Sequence, residues 1–105
     1  MERYIFEPSF RLVDTLILAS LSREPRHGYE LEAHVTNISR GRVASGNATV
    51  YKAVKRLAGD GLVTVMVGSQ GDRRRYYEIT REGRAQLGRD LGLLRRTVQA
   101  FDERF

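Results

Sequence analysis

Thr49-Val50-Tyr51-Lys52-Ala53-Val54-Lys55-Arg56-Leu57, followed by Gly61-Leu62-Val63 and, past a glycine-rich turn, by Arg73-Arg74-Arg75-Tyr76-Tyr77-Glu78-Ile79-Thr80, is the stretch on which the fold turns. On a helix advancing about 100° per residue, Val50, Tyr51, Val54, Leu57 and Ala58 fall on one side, with Thr49, Lys52 and Arg56 opposite them and Lys55 at the edge. One side packs and the other is free to meet a polyanion. The valine-rich run from Leu62 to Val67 reads as a strand, Gly68 to Asp72 as a turn, and Tyr76 to Ile79 as the returning strand of a hairpin.

Upstream, residues 10–21 are apolar on more than one side, so this first helix belongs in the middle of the domain, with Ser9 a candidate N-cap and Ser22-Arg23-Glu24-Pro25 its stop. A second, shorter helix over 28–38 places Leu31, Val35 and Ile38 on one face. After a brief Val43-Ala44 piece, Asn47 or Ser45 caps the third helix, and Asp60-Gly61 ends it. Thr80 caps a last helix in which Leu87, Leu91, Leu94, Val98, Phe101 and Phe105 form a 4-3 seam of about two and a half heptads. Gly88 and Gly92 lower its helicity by about 1 kcal/mol each, or permit close backbone approach. The predicted class is mainly α with a small β-hairpin wing (α+β): a winged helix-turn-helix over 1–80, and a C-terminal dimerisation helix over 81–105 within the same structural unit.

Charge narrows the function. The 105 residues carry 18 Lys and Arg against 13 Asp and Glu, a net charge of +5. From Ala33 to Gly59 there is no acid at all, while Arg40, Arg42, Lys52, Lys55 and Arg56 lie there. Such a one-sign field suits phosphate backbones or anionic lipid. No apolar run approaches the roughly 20 residues of a spanning helix, and residues 1–8 lack a signal-peptide pattern, so the expected location is the cytoplasm. Without cysteine there is neither disulfide nor thiolate metal site. His27 and His34 lie about 10 Å apart along the second helix, too far to share a metal. No catalytic constellation is present, and no metal or cofactor is expected.

Arg26-His27-Gly28-Tyr29-Glu30-Leu31 resembles the HGYEL signature that opens the second helix of PadR-type transcriptional regulators. Thr49-x-Tyr51-x-Ala53-x-x-x-Leu57 resembles their recognition-helix pattern, and Arg74-Arg75-Tyr76-Tyr77-x-x-Thr80-x-x-Gly83 the end of their wing. The likeness runs in order over roughly residues 10–98. It departs before the third helix, where the family commonly has a Ser-Pro-Gly-like lead and this chain has Gly46-Asn47-Ala48. A single last helix resembles the shorter branch. The resemblance implies a homodimeric repressor of a palindromic operator, released in some members by a small aromatic ligand.

On this reading the DNA-facing set is Asn47, Thr49, Tyr51, Lys52, Lys55 and Arg56, joined by Arg40, Arg42, Arg73, Arg74 and Arg75. Asn47, Thr49, Lys52 and Arg56 face the major groove, and the other basic residues contact phosphates. Each has a bland alternative. The lysines and Arg56 are also what a solvated helix face looks like; Thr49 suits a helix start; Tyr51 lies at the apolar boundary and suits packing; the wing arginines also solubilise a hairpin. The dimer seam is Leu87, Leu91, Leu94, Val98 and Phe101, which alternatively packs on the first helix. Tyr4, Phe6, Phe10, Phe101 and Phe105 are candidates to line an aromatic effector site. The competing function is a winged-helix module that docks an acidic protein partner through the same face.

Overall fold

The computed structural model describes residues 11–42, 48–68 and 75–104. Four helices and three strands follow one another as α1 (Leu12–Leu21), β1 (Arg26–His27), α2 (Gly28–Ile38), α3 (Thr49–Gly59), β2 (Val63–Val67), β3 (Arg75–Ile79) and α4 (Arg81–Arg104). The strands form one antiparallel sheet in the order β1-β3-β2, with Val63 opposite Ile79 and Val67 opposite Arg75. The strand β1 has no counterpart in the sequence reading. Its two residues pair with Tyr77 and Tyr76, too short a run to leave a periodic pattern.

Apolar burial explains why α1 occupies the centre. Ile17, Leu18 and Leu21 from α1 meet Leu31 and Val35 from α2, Val50, Ala53, Val54 and Leu57 from α3, Val63 and Ile79 from the sheet, and Leu87 from α4. Each fully buried large aliphatic side chain contributes roughly 1.5–3 kcal/mol, so this cluster outweighs any single polar link. Ile38, expected on the packed face of α2, is instead exposed, because α2 winds out of the core in its last turn.

The helix ends are fixed by specific contacts. His27 caps α2: its Nδ1 accepts from the Glu30 N–H (3.4 Å) while the Glu30 carboxylate accepts from the His27 N–H (3.4 Å). This is a capping box with imidazole in place of a hydroxyl. The other end of α2 closes as a Schellman motif, the Gly41 N–H donating to the Thr36 carbonyl (2.9 Å) and the Arg40 N–H to the Asn37 carbonyl (3.1 Å). At α4, Thr80 caps as expected, its Oγ1 accepting from the Gly83 N–H (3.0 Å) while its hydroxyl donates to the Gly61 carbonyl (2.7 Å). Gly83 is required there: a Cβ would collide with the Leu62 carbonyl oxygen.

Two expected caps are replaced. The helix α1 is preceded by Arg11, which makes no side-chain cap, and Ser9 lies outside the described residues. The N-cap of α3 is Ala48, at φ 68° and again without a side-chain bond; Ser45 and Asn47 also lie outside the described residues. That φ is left-handed and favours glycine, which gives a physical reason for a glycine at the end of the Ser-Pro-Gly-like lead.

Candidate nucleic-acid interface

The helix α3 is strongly two-sided. Val50, Ala53, Val54 and Leu57 are buried, whereas Thr49, Lys52 and Lys55 are exposed. Among the described residues neither lysine is paired with a carboxylate. Both charges therefore add to the positive end of the α3 dipole near Thr49. Arg40 and Arg42, in the turn after α2, and Arg75, at the start of β3, are also exposed. Arg40 holds φ 54°, so the Schellman closure of α2 is made with an arginine where glycine is the usual occupant. Asn47, Arg73 and Arg74 lie outside the described residues.

Tyr51 packs. Its Cε1 would lie 3.0 Å from a Cβ at Gly28, so the glycine of the His-Gly-Tyr stretch makes room for this ring. Burial raises the phenol pKa, and the charge of Glu32 and the neighbouring Tyr77 push it in the same direction. The hydroxyl therefore stays a donor, and 41% of the residue is still exposed.

Arg56 departs from the expectation. Instead of sharing an outward face with Lys52, it reaches back to α1, where its two terminal nitrogens donate to the two oxygens of Asp14 at 2.8 and 2.9 Å. The Asp14 side chain is 11% exposed and that of Arg56 36%. Hydrogen bonding to Asp14 raises the guanidinium pKa against the opposing effect of burial, and the Asp14 and Asp60 charges add to the rise. The reason is desolvation: Asp14 is the one charged residue of α1, and a buried carboxylate requires a cation and hydrogen bonds. The sequence reading passed over Asp14, although an acid inside an otherwise apolar helix is itself a request for such a partner.

The next residue on α1 is also engaged. The Thr15 hydroxyl donates to Asp90 Oδ2 of α4 (3.1 Å), and the Gln86 amide donates to Asp90 Oδ1 (2.8 Å). The two links flank a cavity of about 550 Å³ whose walls come from α1, the end of α3 and α4.

The dimer seam is divided. Leu87 is in the chain's own core and Leu91 packs half-buried against it, the arrangement that the alternative reading of the seam expects. Leu94 is half-buried, and Val98 and Phe101 are 58% and 62% exposed. Of the effector candidates, Tyr4, Phe6, Phe10 and Phe105 lie outside the described residues. Among the described residues no helix is long and apolar enough to cross a membrane.

Comparison with known proteins gives this geometry its family. Residues 17–89 match the transcriptional regulator PadR-like family. The chain belongs to that family. It is thus a transcriptional regulator and not an enzyme. A PadR family transcription regulator of Clostridium difficile R20291 shares 26% identity, with 89% of this chain and 97% of that one covered and a TM-score of 0.76. A transcriptional regulator from Clostridium thermocellum is 27% identical over 87% of this chain and 90% of its own, at a TM-score of 0.75. Bacillus subtilis PadR, solved in complex with operator DNA, has the same fold at 22% identity, with 77% of this chain and 47% of that one covered and a TM-score of 0.67.

Proposed function

We propose that this PadR-family chain binds double-stranded DNA as a homodimeric repressor of a palindromic operator. The observation that carries the reading is the exposed, acid-free face of Thr49, Lys52 and Lys55 on a helix whose opposite face is locked in the core. The N-terminal part of such a helix is the part that reaches base edges in the major groove. On this reading the exposed Arg40, Arg42 and Arg75 contact phosphates and fix its register. Bacillus subtilis PadR, a protein of the same fold, has been solved in complex with operator DNA, which supports DNA as the partner of this chain. On this reading residues 1–80 read DNA, residues 81–105 dimerise, and the protein works in the cytoplasm. A small aromatic ligand that releases the operator would find an exposed ring in Phe101.

Footprinting on the DNA upstream of this chain's own gene tests the reading. A dyad is expected, with half-sites about 10 base pairs apart or a multiple of that. With about six to ten phosphates neutralised per dimer, affinity falls roughly a thousandfold or more between about 50 and 200 mM salt. Equal retention on random competitor would favour a module that docks an acidic protein. Planar phenolic compounds that neither shift the melting temperature nor release the operator would remove the effector from the proposal.

A further inference from the structure

We infer that Asp14 and Arg56 are positioning residues for operator reading: their ion pair fixes the rotation of α3 on α1, and with the adjacent Thr15–Asp90 bond it sets α3 relative to α4. This rests on the dimeric operator reading above and adds to it a residue pair that determines half-site spacing.

The geometry is that of a frame with two attachments. Asp14 and Thr15 are consecutive on α1, so their side chains leave the helix about 100° apart. Asp14 receives both terminal nitrogens of Arg56 from α3, and Thr15 donates to Asp90 of α4. A two-point guanidinium–carboxylate contact is planar and admits little rotation, unlike the single-point contact of an ammonium. Asp90 is itself held by Gln86, whose Oε1 accepts from Arg89 Nη2 (2.7 Å). The Asp90 end of the second attachment is thus itself oriented.

Arg56 lies in the last turn of α3, and Thr49 begins that helix. The eleven residues of α3 form a rod of about 16 Å. A rotation permitted at Arg56 therefore displaces the base-facing end. For Arg56 to present both terminal nitrogens to a base edge in a two-point contact it would have to release Asp14, leaving a buried carboxylate without its cation. In a dimer joined through α4, the α4–α1–α3 frame sets the separation of the two reading helices. Loosening the frame should blur the preference for one half-site spacing, an effect that a contact with a single base cannot produce.

The experiment uses the full chain and three sets of variants. Asp14→Asn and Arg56→Gln break the pair singly and together. Arg56→Lys keeps the charge without the fork. Asp14→Leu with Arg56→Met replaces the pair by apolar contact and keeps a folded protein available if the single variants melt. Operators with the spacing lengthened or shortened by one base pair compete with the natural one. Wild type should discriminate among them, and every variant, Arg56→Lys included, should lose about 2- to 30-fold of that discrimination, the range carried by a structural link between sites. In the DNA-free protein, Asp14→Asn and Arg56→Gln should shift the same backbone amides between Thr49 and Lys55. Spacing preference retained in the variants, with Arg56→Gln relaxing one base position and Asp14→Asn neutral, would make Arg56 a base reader and overturn the inference. A wild-type chain that recognises no dyad overturns the dimeric reading instead. The α3 amides then decide the positioning role by themselves: common shifts support it, and unmoved amides sink it.

Discussion

Between Gly83 and Asp90, α4 lies against the body of the molecule, with Gly83, Leu87 and Asp90 buried. From Arg95 to Arg104 every residue of the same helix is exposed. One apolar stripe runs through both halves at unbroken 4-3 spacing, yet its first members are consumed by the chain's own core and its last ones face outward. The lesson is that a heptad pattern reports which residues want burial and leaves open what buries them. The close approach at Gly83 and the Thr15–Asp90 bond decide the first half. Neither device exists beyond Leu94 among the described residues, where Val98 and Phe101 stand outside the core cluster with more than half of their surface exposed.

The sharpest way to break this contrast is a charge in the outer half. Val98→Glu with Phe101→Glu should leave the monomer folded, since neither residue is in the core cluster. It should still lower operator affinity by about a hundredfold to ten-thousandfold, the avidity lost when two half-sites are no longer linked. Sedimentation should show a monomer at concentrations where wild type is a dimer. A variant that stays dimeric would place the interface elsewhere.

The inner half should respond in the opposite manner. Leu87→Ala removes a buried side chain from the core and should cost about 2–5 kcal/mol of unfolding free energy in chemical denaturation. Its dimerisation should weaken only in proportion to the fraction unfolded. A folded Leu87→Ala chain with a weakened dimer would show that Leu87 also meets the second copy.

Gly83→Ala is the next smaller test. Its Cβ would collide with the Leu62 carbonyl and with Ile79 Cγ1, overpacking that costs about 1–3 kcal/mol by melting. No loss of stability would mean that α4 can lift from the α3–β2 junction freely, and that its two halves differ less than the buried contacts suggest.

Much of this was legible in the sequence because periodicity and turn chemistry are local. The four helices, the hairpin and the Thr80 cap follow from spacing and residue type. Three features were hidden for distinct reasons. The strand β1 is two residues long and exists because β3 offers an edge to pair with, a tertiary fact. Arg56 sits on the polar side of a helical wheel, and only the position of α1 reveals that Asp14 waits there. The partition of the heptad seam depends on where the body ends. The wheel puts Thr49, Lys52 and Arg56 outward with Lys55 at the edge; Thr49, Lys52 and Lys55 are exposed, and Arg56 is the member that turns back to Asp14.

The smallest effect is expected at Gly88, one turn beyond Gly83 and of opposite character. An added Cβ there meets nothing within 4 Å in the chain, so the space is open as far as a single copy is concerned. Alanine in place of glycine inside a helix then gains about 0.5–1 kcal/mol through the smaller entropy lost by the backbone. Gly88→Ala should therefore raise the melting temperature slightly in a protein kept monomeric by Val98→Glu and Phe101→Glu. In the dimer two results are informative. An equal gain, with unchanged sedimentation, means that Gly88 faces solvent and that the second copy lies along Val98 and Phe101. A gain in the monomer that turns into weaker dimerisation means that two α4 backbones approach at Gly88, and the boundary between the core-facing and partner-facing halves of the helix then moves inward by about two turns.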